Sequence, residues 1–317
     1  MILLENIDGK IWHIETKVVD MVKEYQDQGK LIISLNSEGP CCEALGLYKI
    51  LDHMCEKFNI DKTNITIETG NQLESHQFYN IKVVQQVKWT LERVATHLKD
   101  WQLESKTDTL KHCGILIGRG NSFRLWLASW VRKNHSDKTV MSYHFDQTND
   151  SHHPHIGFNG MIRANAYEAE LNNALDLLAE APIKLDQIDE YPVIDPANLN
   201  IIKEYKNFFL DIVMETYFSN NTFFLSEKIC RPIISQTPFI VFASPGWLGN
   251  LKKLGFKTFD QWWSEEYDDY GEEKRISEMQ HILRDIYFKS TDELLAMLKD
   301  MEPVLKHNRE LILTYAK

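Results

Sequence analysis

The sequence predicts an α/β fold with mostly parallel sheets, divided into two domains. Three observations lead there. Short apolar runs rich in β-branched residues alternate with longer amphipathic stretches, the pattern of helices layered on a parallel sheet. The chain has 317 residues, enough for two domains at about 100 to 200 residues each. The stretch from Pro182 to Pro196 carries three prolines and several acids and reads as a linker. The expected domains are therefore residues 1–185 and 186–317.

The elements follow in chain order. Lys30 to Leu35 (KLIISL) reads as a buried strand, preceded by a helix that ends at Gly29. A helix is expected from Cys41 to about Phe58, because Leu45, Tyr48, Ile50, Leu51 and Met54 fall on or near one face. Asn64 to Glu68 (NITIE) is the next strand, broken by Gly70 and Asn71, and a long helix is expected over Gln85 to Leu98. Within Leu110 to Arg132, HCGILIG reads as a strand, RGNSF as a turn and RLWLASWVR as an amphipathic helix. Thr139 to Phe145 resembles a further strand, Asp146 to Gly160 a polar loop, and Ala164 to Ala181 an alanine- and leucine-rich helix. Beyond the linker, Phe208 to Met214 (FFLDIVM) and Pro238 to Phe242 (PFIVF) read as strands, each followed by a helix, Ser226 to Ser235 and Pro245 to Leu254. An acidic loop, Ser264 to Glu273, and two helices, about Glu273 to Phe288 and Thr291 to Ala316, complete the chain.

Composition and charge narrow the classes of function. With 43% hydrophobic and 26% charged residues, the chain should bury a large core, and collagen-like or disordered classes do not fit. The net charge of −11 argues against a protein held on nucleic acid or anionic lipid by overall charge. A local basic surface built from Lys82, Lys88, Arg93, Lys111, Arg132 and Lys133 is compatible with it. Met1 to His13 contains Glu5 and Asp8 and does not read as a signal peptide. No apolar run approaches the roughly 20 residues needed to cross a bilayer. Cys41, Cys42, Cys55, Cys113 and Cys230 are scattered and form no C-x-x-C pair, against a zinc ribbon or a full disulfide set. A soluble, cytoplasmic protein without a membrane span is expected.

The chemistry-bearing residues cluster late in the chain. They are Glu215-Thr216, Ser226-Glu227-Lys228, Arg231-Pro232, the strand PFIV and the turn Ser244-Pro245-Gly246. A helix opening at Ser226 puts a capping hydroxyl, a carboxylate and an ammonium at its positive end, where free backbone N–H groups favour an anion such as a diphosphate. Glu227 has two acceptor oxygens for the hydroxyls of a ribose, and Lys228 and Arg231 could neutralise phosphate oxygens. The plain alternative is a capped helix with surface charges.

The run FLSEKICRPIISQTPFIVF, with ET ten residues upstream and GFKTF at Gly255 to Phe259, resembles the donor-binding half of fucosyltransferase-like glycosyltransferases of the GT-B type. It is also similar to a set of phage and giant-virus glycosyltransferase-like proteins. The likeness covers roughly Val213 to Arg284. It implies a GT-B-like fold, two Rossmann-like domains facing a central cleft, with the last helix packing back on the first. It implies that Glu227 contacts the ribose of a nucleoside-diphosphate sugar and Lys228 its phosphates, with Ser226, Arg231 and Glu215 in the same site. The viral proteins have a comparable basic loop before a helix, which adds Arg119 and Arg124 of RGNSFR as candidates for the leaving diphosphate; a planar guanidinium binds two oxygens at once. Surface pairing of these arginines with acids is the competing expectation. Gly118 and Gly120 do not complete a dinucleotide fingerprint.

The implied activity is glycosyl transfer from a nucleoside-diphosphate sugar to a hydroxyl acceptor, either a glycan or a hydroxymethylated base in phage DNA. Inversion needs a base for the acceptor hydroxyl, expected from loops at the carboxyl ends of first-domain strands. Glu38 fits that placement, and Glu74 and His76 compete with it. A retaining reaction would need no such base. No D-x-D element occurs, so metal-independent chemistry without a cofactor is expected. His152, His153 and His155 read as part of a solvated loop rather than a metal site. Trp126 and Trp130 read as core, Trp247 as a neighbour of the donor, and Trp262 and Trp263 as residues closing the second domain. Two other functions fit the same residues: a nucleotide-sugar epimerase or phosphorylase of this architecture, and a non-catalytic nucleotide-sugar-binding accessory protein.

Overall fold

The computed structural model describes residues 2–3, 14–35, 39–74, 81–85, 89–107, 110–144, 154–185 and 195–317. The chain divides into two compact units. The first comprises Met1–Trp89 with Ser219–Phe224, and the second Thr90–Phe218 with Leu225–Lys317.

The first unit is built on a parallel sheet of order β1-β2-β3-β4, formed by Ile2–Leu3, Leu31–Ser34, Ile65–Thr69 and Lys82–Gln85. In β2 and β3 the register sets Leu31 beside Ile65 and Ile33 beside Ile67, and all four side chains are buried. Helices α1 (Ile14–Gln28) and α2 (Leu47–Phe58) cover this core, α2 through Leu47, Tyr48, Leu51, Met54 and Cys55. Asn59 ends α2 in the left-handed region at φ 53°, with its N–H returned to the Cys55 carbonyl.

The second unit carries a parallel sheet of order β6-β5-β7-β8, from Thr139–Tyr143, Lys111–Ile117, Phe208–Met214 and Phe239–Phe242. All seven residues of β7 are buried, as expected of a strand covered on both faces. Gly114 on β5 lies against the Phe208 ring, and a Cβ there would sit 2.5 Å from the ring edge. The helices of this unit are α3 (Trp89–Leu98), α4 (Ser122–His135), α5 (Pro154–Arg163), α6 (Glu168–Glu180), α7 (Leu199–Glu204), α8 (Glu227–Ile234), α9 (Trp247–Lys253), α10 (Glu272–Phe288) and α11 (Thr291–Leu313).

The order β6-β5-β7-β8 fixes where a ligand crevice can form. From β5 the chain steps outward to β6, then returns past β5 to β7 and β8. Connections therefore diverge at the carboxyl ends of β5 and β7, the switch point at which open α/β sheets bind ligands.

The boundary expected at residues 185 and 186 is corrected. Strands β5 and β6 lie before it and β7 and β8 after it, yet β5 pairs with β7 through Lys111–Phe208, Cys113–Leu210 and Gly114–Asp211. The proline-rich stretch is thus a crossover connection within one sheet, and Ile183 bridges to Tyr143 of β6. Residues 186–194 lie outside those described. The last helix, α11, packs on α8, β5 and β7. Other elements were also unforeseen, among them β1 and α7. The paired strand β4 precedes α3 where a helix was expected to begin, and α5 occupies part of the expected polar loop.

Candidate functional site

Two strand ends build the site. Past Ile117, β5 gives way to Gly118, Arg119, Gly120 and Asn121, and Asn121 caps α4 by accepting the Arg124 N–H at 2.9 Å. Gly120 donates its N–H to the His144 carbonyl at 3.0 Å, and a Cβ on it would lie 2.3 Å from the Tyr143 hydroxyl. Only glycine allows this approach, which fastens the loop to the end of β6. Past Met214, Glu215 donates its N–H to Phe242 on β8 at 3.0 Å. Asn121 Nδ2 donates to the Thr216 carbonyl at 3.4 Å, tying the two strand-end loops together.

Ser226 is the hinge of the arrangement. Its hydroxyl donates to Glu215 Oε1 at 2.8 Å and accepts the Lys228 N–H at 3.1 Å as the cap of α8. Lys228 Nζ lies 2.7 Å from Glu227 Oε1, and the two side chains are 18% and 22% exposed. Burial by itself would raise the Glu227 carboxyl, but Lys228 and then Arg231 overcome it and bring it down to about 2. Glu215 is 3% exposed and shifts the other way. Burial raises it, with Lys228 opposing and Glu227 adding to the rise. Among the described residues, Glu215 Oε2 has no hydrogen-bond partner.

Glu215, Ser226, Glu227 and Lys228 therefore meet at the first turn of α8, at the carboxyl end of β7. Arg119 is exposed on the loop that leaves β5, the strand beside it. The two remaining expected arginines do other work. Arg124 is buried, and its guanidinium donates to the Arg119 carbonyl at 2.7 Å and the Met214 carbonyl at 2.9 Å. It locks the ends of β5 and β7 together and does not reach out to an anion. Arg231 is buried as well and donates to the Asp195 carbonyl at 3.2 Å. It acts on Glu227 by its charge.

Of the expected bases, Glu38 and His76 lie outside the described residues. Glu74 is corrected to a structural residue of the first unit. Its Oε1 accepts the Cys42 N–H at 2.6 Å and Asn71 Nδ2 at 3.5 Å, and its Oε2 accepts the Tyr48 hydroxyl at 2.8 Å. A buried carboxylate with both oxygens engaged clasps a loop; it is not poised to take a proton from an acceptor.

The strand-to-helix turn after β8 is filled by the protein itself. Asp268 accepts the N–H groups of Trp247, Leu248 and Gly249 at 3.1, 2.9 and 3.3 Å, closing the amino end of α9. Burial raises Asp268 to about 6 against the pull of those N–H groups. Trp247, expected beside the donor, is buried. Trp126 is core, with its Nε1 donating to Glu170 at 2.8 Å; Trp130 is half-buried, with Arg284 5.5 Å from its ring centre. Trp263 is buried beside Phe259, and Trp262 donates to Asp300 at 2.8 Å. His152 and His153 fall outside the described residues, as does the side chain of His155. Among the described residues, no group of three or more His, Cys, Asp or Glu could hold a metal ion, and no helix is long and apolar enough to cross a membrane.

A buried polar network escaped sequence reasoning. Lys106 Nζ donates to the carbonyls of Tyr205 and Phe208 at 2.7 and 2.8 Å and to the Thr237 hydroxyl at 2.9 Å. Tyr205 donates to Asp211 Oδ2 at 2.8 Å. Burial pushes Asp211 up to about 7 and Lys106 down to about 7. The one signal was the single acid inside the apolar strand FFLDIVM. Comparisons with protein-family models, curated proteins and solved structures returned no match to the chain.

Proposed function

We propose that the chain is a glycosyltransferase of GT-B-like architecture that moves a sugar from a nucleoside-diphosphate sugar to a hydroxyl acceptor, with the donor held by the second unit. The meeting of Glu215, Ser226, Glu227 and Lys228 at the switch-point end of α8 supports this reading most directly. A helix amino end attracts phosphate through its N–H groups and dipole. Lys228 would exchange its ion-pair partner, Glu227, for diphosphate oxygens, and Arg119 would supply a second cation from the β5 loop. Glu227 keeps acceptor oxygens for ribose hydroxyls. The amino end of α9, by contrast, is filled by Asp268.

In the reaction, the bond from the sugar's anomeric carbon to the diphosphate oxygen breaks as a bond to the acceptor oxygen forms. The acceptor proton passes to a base, for which Glu38 is the leading candidate. Charge growing on the leaving diphosphate is stabilised by the α8 amino end and Lys228. The acceptor is a glycan or a hydroxymethylated base in DNA.

Nucleoside diphosphate release should be followed from a panel of nucleotide sugars, with and without these acceptors. Release that requires an acceptor and leaves the sugar attached to it is the expected result. Phosphorolysis or isomerisation without an acceptor would assign the epimerase or phosphorylase function instead, and binding without turnover the accessory function.

A further inference from the structure

We infer that Glu215 meets the bound diphosphate as a neutral acid, donating its Oε2–H to a phosphate oxygen, so that binding a nucleotide sugar takes up a proton. This rests on the donor site proposed above and adds a role for a side chain that has none there beyond its contact with Ser226.

The geometry carries it. Glu215 is almost fully buried, and Oε1 is committed to the hydroxyl that caps α8. Oε2, on the same carboxyl, is itself buried and has no hydrogen-bond partner among the described residues. A buried oxygen left unsatisfied is costly and calls for a partner. A diphosphate can satisfy Oε2 in only one way. Phosphate oxygens accept hydrogen bonds, so the carboxyl must carry the proton; as a carboxylate it would only repel them.

The surrounding charges agree. From α8, Glu215 faces Ser226, Glu227, Lys228 and Cys230, and from α4 it faces Arg124. From β8, the Phe242 carbonyl accepts the Glu215 N–H. Cys230 is held protonated by burial. Glu227 keeps its charge beside Lys228 and Arg231, whereas burial and Glu227 both favour a proton on Glu215. Two neighbouring carboxyls driven apart in this way have different roles. Here Glu227 is the ionised acceptor and Glu215 the neutral donor. When diphosphate draws Lys228 away, the strongest force keeping Glu215 ionised weakens, and a proton moves from the buffer acid to Oε2.

Titration calorimetry of the full chain with UDP-glucose and GDP-mannose at pH 8 tests this in buffers of different ionisation enthalpy, HEPES and Tris. Neither sugar nucleotide has a phosphate proton to gain in that range. The heats should report net proton uptake on binding, and affinity should weaken as pH rises, by at most about tenfold per pH unit. Glu215→Gln, whose amide donates where the acid would, should bind with no proton uptake and with affinity independent of pH. Binding to the wild-type chain without uptake, uptake that persists in Glu215→Gln, or a folded Glu215→Gln that binds more weakly would each overturn the inference while leaving the donor site standing. If neither sugar binds the wild-type chain, the donor site falls and the inference with it. The buffer comparison on the wild-type chain decides the matter even if Glu215→Gln does not fold.

Discussion

Arg275→Ala should lower the stability of the second unit by about 3 to 5 kcal/mol, the range for breaking a buried polar network. Arg275 is 1% exposed. Its Nη1 donates to the carbonyls of Phe218 and Ala243 at 2.7 and 2.5 Å, and its Nε and Nη2 donate to Tyr270 at 3.1 and 2.7 Å. The guanidinium also lies 4.5 Å from the Phe218 ring. One side chain thus satisfies carbonyls from the connection after β7, the turn after β8 and the approach to α10. Truncation removes the donor from the carbonyls of buried Phe218 and Ala243 and of half-buried Tyr270. A thermal melt should fall by roughly 10 °C for a unit of this size. Arg275→Lys should recover part of the loss, since an ammonium has three donors but lacks the planar fork. A fall of under about 1 kcal/mol in Arg275→Ala, well below the cost of orphaning buried carbonyls, would show that these contacts do not hold the strand ends.

The second large effect is on turnover. Glu38→Gln should reduce the rate of sugar transfer by about 10² to 10⁴, the usual contribution of a general base, without changing the thermal shift given by nucleotide sugars. Glu74→Gln should behave in the opposite way. With Cys42 N–H and the Tyr48 hydroxyl both relying on its oxygens, it should lose stability by roughly 1 to 3 kcal/mol and keep a normal rate in the molecules that remain folded. Full turnover in Glu38→Gln, coupled with a loss in His76→Gln, would move the base to His76.

Much of the fold was legible because strands buried on both faces advertise themselves. KLIISL, HCGILIG, FFLDIVM and PFIVF are runs that no amphipathic helix would produce, and each became a strand in a parallel sheet. The sheet to which a strand belongs was not legible, because register and order are set by contacts far apart in sequence. Prolines between 182 and 196 mark a connection but not what it connects. Within the site, Ser226, Glu227 and Lys228 could be read from capping chemistry, which is local. Arg124 and Arg231 could not, since an arginine beside a strand end looks the same whether it binds phosphate or a buried carbonyl. Glu74 misled for the same reason, and Asp268 and Arg275 gave no local sign of the carbonyls and N–H groups they meet.

The central claim is that the amino end of α8 holds the diphosphate of an activated sugar. The most direct measurement is the thermal shift of the wild-type chain and of Lys228→Ala against nucleoside-diphosphate sugars. A sugar at about 100 times its dissociation constant should stabilise the wild-type chain by roughly 2.7 kcal/mol, and most of that response should vanish in Lys228→Ala when measured against that variant's own melt without ligand. Equal responses in both proteins, or none in the wild type across the panel, would contradict the claim.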